Sequence, residues 1–320
     1  MPACRHERID AVVTIIPIFA VILLGWAARR RGVITGAFLE PANRLVYSFS
    51  IPALIFGAIA KTSFHQKFDV RVVSFTILAI VLIYLISYAI TRLSGMADAR
   101  AGAFILSSAH SNVGYLGLPI AYYYLGAEGF AAAGIICGFV MIVQNVLSVI
   151  FLQLHQPSRE HCSSGRSVLR ALAGNPVIGG ALAGMLVSIM SIDLPLVVWR
   201  TIDMLGGLAP PMALLLIGAS LSVGVVRTSL AATFGSLLIK LALLPAVALL
   251  LFQLAQLRPA EFLPAIILLC APPATIVYVM VRGMNCDADF ADTQISLGTI
   301  LSAVTISVWL SVISRLPVTG

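Results

Sequence analysis

The sequence predicts an all-α polytopic membrane protein, with ten transmembrane helices arranged as two inverted five-helix repeats. Composition is the first observation behind this prediction. Of 320 residues, 60% are hydrophobic and 10% are charged, whereas a soluble domain has about 45–50% apolar and about 25% charged residues. Because so few charged side chains cannot cover a surface in contact with water, most of the chain is expected in a lipid bilayer.

Apolar stretches of about 20 residues, long enough for a helix to cross a bilayer, are the second observation. Charged or turn residues separate them, and barrel strands would be shorter and would alternate in polarity. The stretches lie at about 10–28, 44–60, 72–92, 101–125, 130–154, 174–192, 197–222, 229–253, 261–282 and 291–314. They predict ten helical spans, numbered here in chain order.

An internal repeat is the third observation. Pro and Gly residues of the first two spans recur 159 positions further on: Pro17, Gly25 and Pro52 match Pro176, Gly184 and Pro211. Each half then holds five spans, an odd number, so the second half enters the membrane from the opposite side. The repeat is therefore predicted to be inverted.

A polar segment separates the two halves and defines the predicted domains. They are a first repeat over 1–154, a linker over 155–173 and a second repeat over 174–320. Lys and Arg are more numerous in the loops on the side of the linker, and the first of these loops holds Arg29–Arg31. The linker is therefore expected in the cytoplasm, and both termini are expected on the outer side of the cell membrane.

The sequence argues against several other classes of protein. The net charge of +7 is explained by Lys and Arg in loops, and no basic stripe interleaves with aromatic residues, so nucleic acid is not an expected partner. The five Cys residues lack disulfide or metal spacing. No HExxH, GxSxG or Walker A motif occurs. The sequence predicts no enzyme, metal site or cofactor.

Spans four and nine are the candidate binding elements because both are interrupted. Span four contains Asn112 and Pro119, and span nine contains Pro272 and Pro273. Proline removes a backbone donor and clashes with the preceding turn. Broken backbone is tolerated in a membrane where it lines a cavity or packs against protein. Matching interruptions in two halves are the sequence sign of a transporter site, although two simple kinks would give the same pattern.

A second half-helix in span nine is expected to begin at Ala274 and Thr275. The first N–H groups of a helix have no intrahelical partner and carry partial positive charge. Two such half-helices meeting in mid-membrane would bind an anion without any formal charge. The Thr275 hydroxyl would contact the substrate or simply cap the helix.

Several polar side chains within the apolar spans are further candidates. Lys240 would add positive potential for an anion, bond carbonyls of a broken helix, or snorkel to the interface. His110 would couple transport to H⁺ or pack as a satisfied polar residue. Four residues would coordinate Na⁺ or substrate, or form interhelical hydrogen bonds: Gln144, Asn145, Ser107 and Ser108.

Five motifs, in order and spacing, resemble the auxin efflux carrier family in its short bacterial, malonate-transporter-like form. They are NVGYLGLP (112–119), GNPVIGGALAGMLVS (174–188), APPMALLLIGASLS (209–222), KLALLPAV (240–247) and the run that begins APPATIVYVMVRG (271–310). The similarity covers nearly the whole chain. The resemblance implies a fold like that of bile-acid symporters and sodium–proton antiporters. That fold has a scaffold part and a transport part whose fourth and ninth helices are broken and cross.

The resemblance also implies a binding site and a mechanism. The site would lie at the crossover, with Asn112 and Pro119 on one side and Pro273 and its neighbours on the other. Bacterial members often have Asn four residues after this proline, where this sequence has Val277. Movement would follow elevator-type alternating access.

The predicted function is secondary active transport of a small organic anion, a malonate-like or auxin-like carboxylate, with H⁺ or Na⁺ coupling left open. One alternative is a Na⁺-coupled symporter of another organic solute. Another is a membrane receptor or sensor that does not transport. The expected partners are the substrate, the lipid bilayer and, through an apolar scaffold helix such as span two or seven, a second copy in a homodimer.

Overall fold

The computed structural model describes residues 11–62, 68–155, 174–221 and 229–316, except the side chains of Ala11, Val12 and Glu128. Within these ranges the regular secondary structure is helical. The described part of the chain has seven helices long and apolar enough to cross a membrane: Val13–Arg30, Gly36–Ala60, Val70–Leu93, Gly129–Leu154, Leu196–Ser220, Leu230–Leu254 and Ala288–Ser314. The predicted all-α membrane class is confirmed. The predicted linker at 155–173 lies outside the described residues, apart from His155.

The helices are numbered in chain order. They are α1 (Ala11–Arg30), α2 (Gly36–Leu45), α3 (Ile51–Ala60), α4 (Val70–Leu93), α5 (Asp98–Ala109), α6 (Leu118–Leu154), α7 (Pro176–Ile189), α8 (Leu196–Gly207), α9 (Ala209–Ser220), α10 (Leu230–Leu238), α11 (Leu244–Leu254), α12 (Pro259–Cys270), α13 (Ile276–Gly283) and α14 (Ala288–Ser314). Three π turns join neighbouring helices: Val46–Ser50, Val113–Gly117 and Ile239–Leu243.

Each π turn ends two residues before a proline, namely Pro52, Pro119 or Pro245. A proline ring clashes with the carbonyl four residues earlier, and a wider turn makes room for it. At the third turn the Leu241 carbonyl, freed in this way, accepts a hydrogen bond of 2.9 Å from the Trp309 indole of α14. The sequence therefore explains where the helices widen, and the tertiary structure supplies the missing donor.

Spans four and nine are each broken into two half-helices, as predicted. Helix α5 ends at Ala109 and the next turn begins at Val113, while α12 ends at Cys270 and α13 begins at Ile276. The chain turns between spans four and five at Gly126, whose φ of 65° and ψ of −172° fall in a region open essentially to glycine. The predicted sixth span corresponds to α7, which has 14 residues. The count of ten transmembrane spans therefore stays a prediction.

Glycines set the close packing of two helix pairs, α1 with α9 and α3 with α7. A Cβ atom at Gly25 would lie 2.1 Å from the Leu215 carbonyl oxygen, and one at Gly218 would lie 1.8 Å from the Ile22 carbonyl oxygen. Small residues at such positions let helix backbones approach within a membrane.

The breaks themselves lie in the most enclosed part of the bundle, where every residue from 101 to 113 and from 264 to 274 is buried. Helices α5, α12 and α13 pack around α14 there. This burial means that most of α5, the second half of α12 and the two breaks are surrounded by protein, so the irregular backbone there is shielded from lipid.

Candidate functional site

The two helix breaks face each other and pair as a short antiparallel bridge. The Asn112 N–H donates to the Pro272 carbonyl at 2.8 Å, and the Ala274 N–H donates to the His110 carbonyl at 3.1 Å. In hydrocarbon an unpaired backbone group costs several kcal/mol. The pairing satisfies these groups, and it brings together the interruptions that the sequence places far apart. We call the residues 110–112 and 272–274 the crossover.

Gly298 of α14 makes room for this arrangement. A Cβ atom there would lie 2.6 Å from Pro273 Cδ, so a larger residue would push α14 away from the crossover. Sequence reasoning missed Gly298, since a glycine within an apolar helix gives no sign of its partner.

Asn112 caps the second half-helix of span four. Its side-chain oxygen accepts a hydrogen bond of 3.2 Å from the Tyr115 N–H. Its amide nitrogen is buried and has no partner among the described residues, and the side chain is 4% exposed. A buried donor without a partner is costly. Asn112 therefore combines a structural role with a free hydrogen-bond donor at the crossover.

The backbone at both half-helix N-termini adds further free donors. The N–H groups of Gly114, Thr275 and Ile276 make no hydrogen bond within the described part of the chain. The space next to Gly114 is open, since a Cβ atom there would meet nothing within 4 Å. Thr275 is half-buried and lies at the N-cap position of α13, where its hydroxyl makes no capping hydrogen bond.

Lys240 is fully buried in the third π turn. Its Nζ donates to Ser111 Oγ at 2.7 Å and to the Leu269 carbonyl at 2.9 Å. Leu269 lies in the last turn of α12, where unpaired carbonyls form the negative end of the helix. Lys240 thus bonds a broken helix, one of the roles considered from the sequence. Snorkelling to an interface is wrong, because the side chain is 0% exposed.

Gln144 holds the crossover from the other side. With its amide oriented to satisfy both neighbours, Oε1 accepts from the Ser111 N–H at 3.0 Å and Nε2 donates to the Ser111 carbonyl at 3.3 Å. These bonds correspond to interhelical hydrogen bonding, one of the two roles that the sequence predicts for Gln144. Its neighbour Asn145 is half-buried.

A buried hydrogen-bond chain starts from His110 and reaches α4. His110 Nδ1 lies 2.8 Å from Ser148 Oγ, which lies 2.9 Å from the Tyr84 hydroxyl. Sequence reasoning missed Ser148 and Tyr84. A polar tip within an apolar span is the signal that could have found Tyr84, and Ser148 lies one helical turn after Gln144.

The remaining candidates lie around this core. Ser108 donates to Ser236 at 3.0 Å, and Ser107 Oγ is buried without a partner among the described residues. Pro119 lies beyond the second π turn, in α6. The helix break is therefore at 110–112, and Pro119 accounts for the wide turn that follows it.

Val277 is fully buried beside the start of α13. It offers no polar contact at the position where the family resemblance implies Asn, so the hydrogen bonds available at the crossover come from the other residues described above. None of these side chains is a carboxylate.

Apolar helices long enough to cross a membrane, together with two broken helices that pair at an enclosed polar crossover, are typical of a multi-pass membrane transporter. The chain matches the model of the membrane transport protein family over residues 10–310 and belongs to that family. This confirms the resemblance seen in the sequence. Since the family and its members are transporters, the prediction that the chain is not an enzyme is also confirmed.

Individual relatives are similar along most of their length. A protein of Rhizobium meliloti (strain 1021) named "Putative malonate transporter" is 25% identical over 300 residues, covering 92% of each chain. An uncharacterized transporter of Methanothermobacter thermautotrophicus is 24% identical, covering 92% of this chain and 96% of its own. The uncharacterized transporter YfdV of Escherichia coli K12 is also 24% identical, covering 94% and 97%.

Proposed function

We propose that the chain is a secondary active transporter of a small organic anion, a malonate-like or auxin-like carboxylate bound at the crossover. The observation that carries this proposal is the set of unpaired donors there. Asn112 Nδ2 and the N–H groups of Gly114, Thr275 and Ile276 have no partner among the described residues. A carboxylate would accept hydrogen bonds from them.

The electrostatics of the crossover support an anion over a cation. Two helix N-termini contribute partial positive charge, and such ends bind anions. Lys240 places a basic side chain beside the crossover, and none of the crossover residues is acidic. The negative ends of α5 and α12 also lie next to the crossover, and Lys240 already donates to the Leu269 carbonyl at the end of α12. A carboxylate would fill the free donors.

Two equivalent helix contacts support the inverted repeat. Gly25 packs on Leu215, and Gly184 packs on Phe56, with a Cβ atom there 3.1 Å from the Phe56 carbonyl oxygen. Gly184 lies 159 positions after Gly25, and Leu215 lies 159 positions after Phe56. In the first contact the glycine belongs to the first repeat and its partner to the second, and in the other contact this assignment is reversed. A two-fold axis that relates the repeats requires this reversal.

The same contacts support an elevator-type mechanism. Helix α1 packs closely on α9, and α3 packs closely on α7; we take these two pairs as the first helix group. Helices α5, α12 and α13 pack on α14 and form the second group, which carries the crossover. We infer that the second group moves against the first while the substrate stays bound. The location in the cell membrane, with both termini outside, remains part of this proposal.

Transport can be tested in proteoliposomes with radiolabelled malonate, other small carboxylates and indole-3-acetate. Asn112→Ala removes the free amide, and we expect uptake to fall at least tenfold, since hydrogen bonds to charged groups contribute about 1.5–3 kcal/mol. Gln253→Ala, which removes an amide from an exposed position of α11, is the matched control. Equal uptake by wild type and Asn112→Ala would remove the crossover as the binding site.

Imposed Na⁺ and H⁺ gradients separate the alternatives in the same assay. Uptake that requires Na⁺ for a solute other than a carboxylate would favour the symporter. Binding of an acid to the purified protein, without any uptake, would favour the receptor or sensor.

A further inference from the structure

An open groove between α1 and α14 is lined by residues that take no part in the crossover. Its volume is about 520 Å³, within the range of about 300–1,000 Å³ found for ligand pockets. The first span contributes Ile15, Ile16 and Phe19 to its lining, and α14 contributes a face between Ala303 and Val312. Arg315, just after α14, lies at one end.

The walls of the groove are apolar along their length. Val304, Val308 and Val312 are 65%, 53% and 41% exposed, so they face the surroundings of the protein. Ser307 and Ser311 also line the groove, but their hydroxyls donate to carbonyls of their own helix. An occupant would therefore meet hydrocarbon surface.

Arg315 gives one end of the groove a different character. It is exposed and forms no ion pair within the described residues. It follows the last residue of α14, a helix long enough to cross a membrane. Between Ala303 and Arg315 the helix rises on the order of 18 Å, at about 1.5 Å per residue.

We propose that this groove binds one anionic phospholipid, with an acyl chain along α1 and α14 and its phosphate at Arg315. Chain burial alone would not make the site selective, because lipid tails are as apolar as the groove. Selectivity must come from the headgroup, and basic residues near the membrane surface attract anionic lipids. The site lies where the first helix group meets α14, so the lipid would fill the seam between the two groups.

Native mass spectrometry of the purified protein with phosphatidylglycerol and phosphatidylcholine of equal chain length tests the proposal. We expect wild type to retain phosphatidylglycerol about fivefold better. Arg315→Gln should abolish this preference, and Arg200→Gln, at an exposed arginine of α8, should keep it. An unchanged preference in Arg315→Gln would overturn the proposal.

Val308→Trp tests the groove separately from the headgroup. The indole would fill the space between the helices, and we expect it to reduce retention of both lipids. Retention equal to wild type would overturn the proposal. The proposal would also be overturned if Val308→Trp disrupted a dimer of the protein and left lipid retention unchanged. The groove would then be a contact with a second copy. Circular dichroism and size-exclusion chromatography confirm that each variant is folded. The proposal does not depend on which solute is transported.

Discussion

Lys240 shows how one residue can serve both the fold and the proposed site. Its ammonium group satisfies Ser111 Oγ and the Leu269 carbonyl in a place that neither water nor lipid headgroups reach. Asn112 is the complementary case, since its oxygen caps a half-helix while its nitrogen stays free. The Lys240 side chain links the two helix breaks, whereas Asn112 links them through its backbone N–H and keeps a free side-chain donor at the crossover.

Lys240→Met should strongly destabilise the protein. It would remove two charge-assisted hydrogen bonds, each worth about 1.5–3 kcal/mol, and leave the Leu269 carbonyl buried without that donor. We expect the melting temperature in detergent to fall by at least several degrees. Lys61→Met is the matched control, because the Lys61–Asp203 ion pair is 44% and 55% exposed and such pairs contribute little. Equal melting temperatures for the two variants would contradict this role of Lys240.

At the scale of the element, prolines and glycines decide how the helices depart from regularity. The three π turns before Pro52, Pro119 and Pro245 are local consequences of the sequence. Their consequences for packing depend on partners elsewhere in the chain, as the bond from Trp309 to the Leu241 carbonyl shows.

A double-mutant cycle can test that bond. Trp309→Phe should cost about 1–3 kcal/mol, because the freed Leu241 carbonyl would lose its donor. In a Pro245→Ala background the same change should cost less, because Ala at 245 restores an N–H that can bond this carbonyl within the helix. Thermal unfolding of the four proteins measures the coupling. Additive changes in the free energy of unfolding would show that the hydrogen bond from the Trp309 indole does not depend on Pro245.

Glycine substitutions test the packing of α1 on α9. Gly218→Ala would place a Cβ atom 1.8 Å from the Ile22 carbonyl oxygen, so the helices would have to separate. We expect a clear fall in melting temperature and in the yield of monodisperse protein. Gly179→Ala is the control, since a Cβ atom there meets nothing within 4 Å and Ala favours a helix by about 1 kcal/mol over Gly. A stable Gly218→Ala protein would mean that this contact is looser than described.

At the scale of the whole molecule, one hydrogen bond links segments that pack on the two helix groups. The turn Val113–Gly117 packs on α12 of the second group, and α2 packs on α9 of the first. Between them, the Tyr115 hydroxyl donates to the Asn43 carbonyl at 3.1 Å. Under the proposed elevator mechanism this bond must break whenever the crossover helices move. It would then hold the protein in the conformation described here.

Tyr115→Phe should therefore speed transport where this movement limits the rate. Loss of one hydrogen bond of about 1 kcal/mol corresponds to an increase of about fivefold in maximal uptake rate. Tyr88→Phe, at an aromatic residue that stacks near Phe151 and His155, is the control. Initial uptake rates over a range of substrate concentrations give the comparison. A lower rate in Tyr115→Phe, with KM raised, would instead place the hydroxyl in substrate binding.

The candidate site was partly predictable from the sequence. Asn112, Pro272 and Pro273 were identified because polar and helix-breaking residues in a hydrophobic span stand out. The sequence predicts Pro119 at the break, whereas in the structure it follows the π turn Val113–Gly117. A proline alone does not show how many residues before it the helix widens or breaks. Ser148, Tyr84 and Gly298 were missed, since their roles depend on neighbours distant in sequence.

The sequence alone determined the membrane class, the position of the helix interruptions and the family. These follow from hydropathy, from proline and glycine, and from ordered motifs, all of which are properties of consecutive residues. Only the tertiary structure decided that Lys240 bonds Ser111 and Leu269, that Gln144 holds Ser111, and that donors remain free at the crossover. Buried polar groups must find partners wherever the chain brings them, and those partners lie up to about half the sequence away.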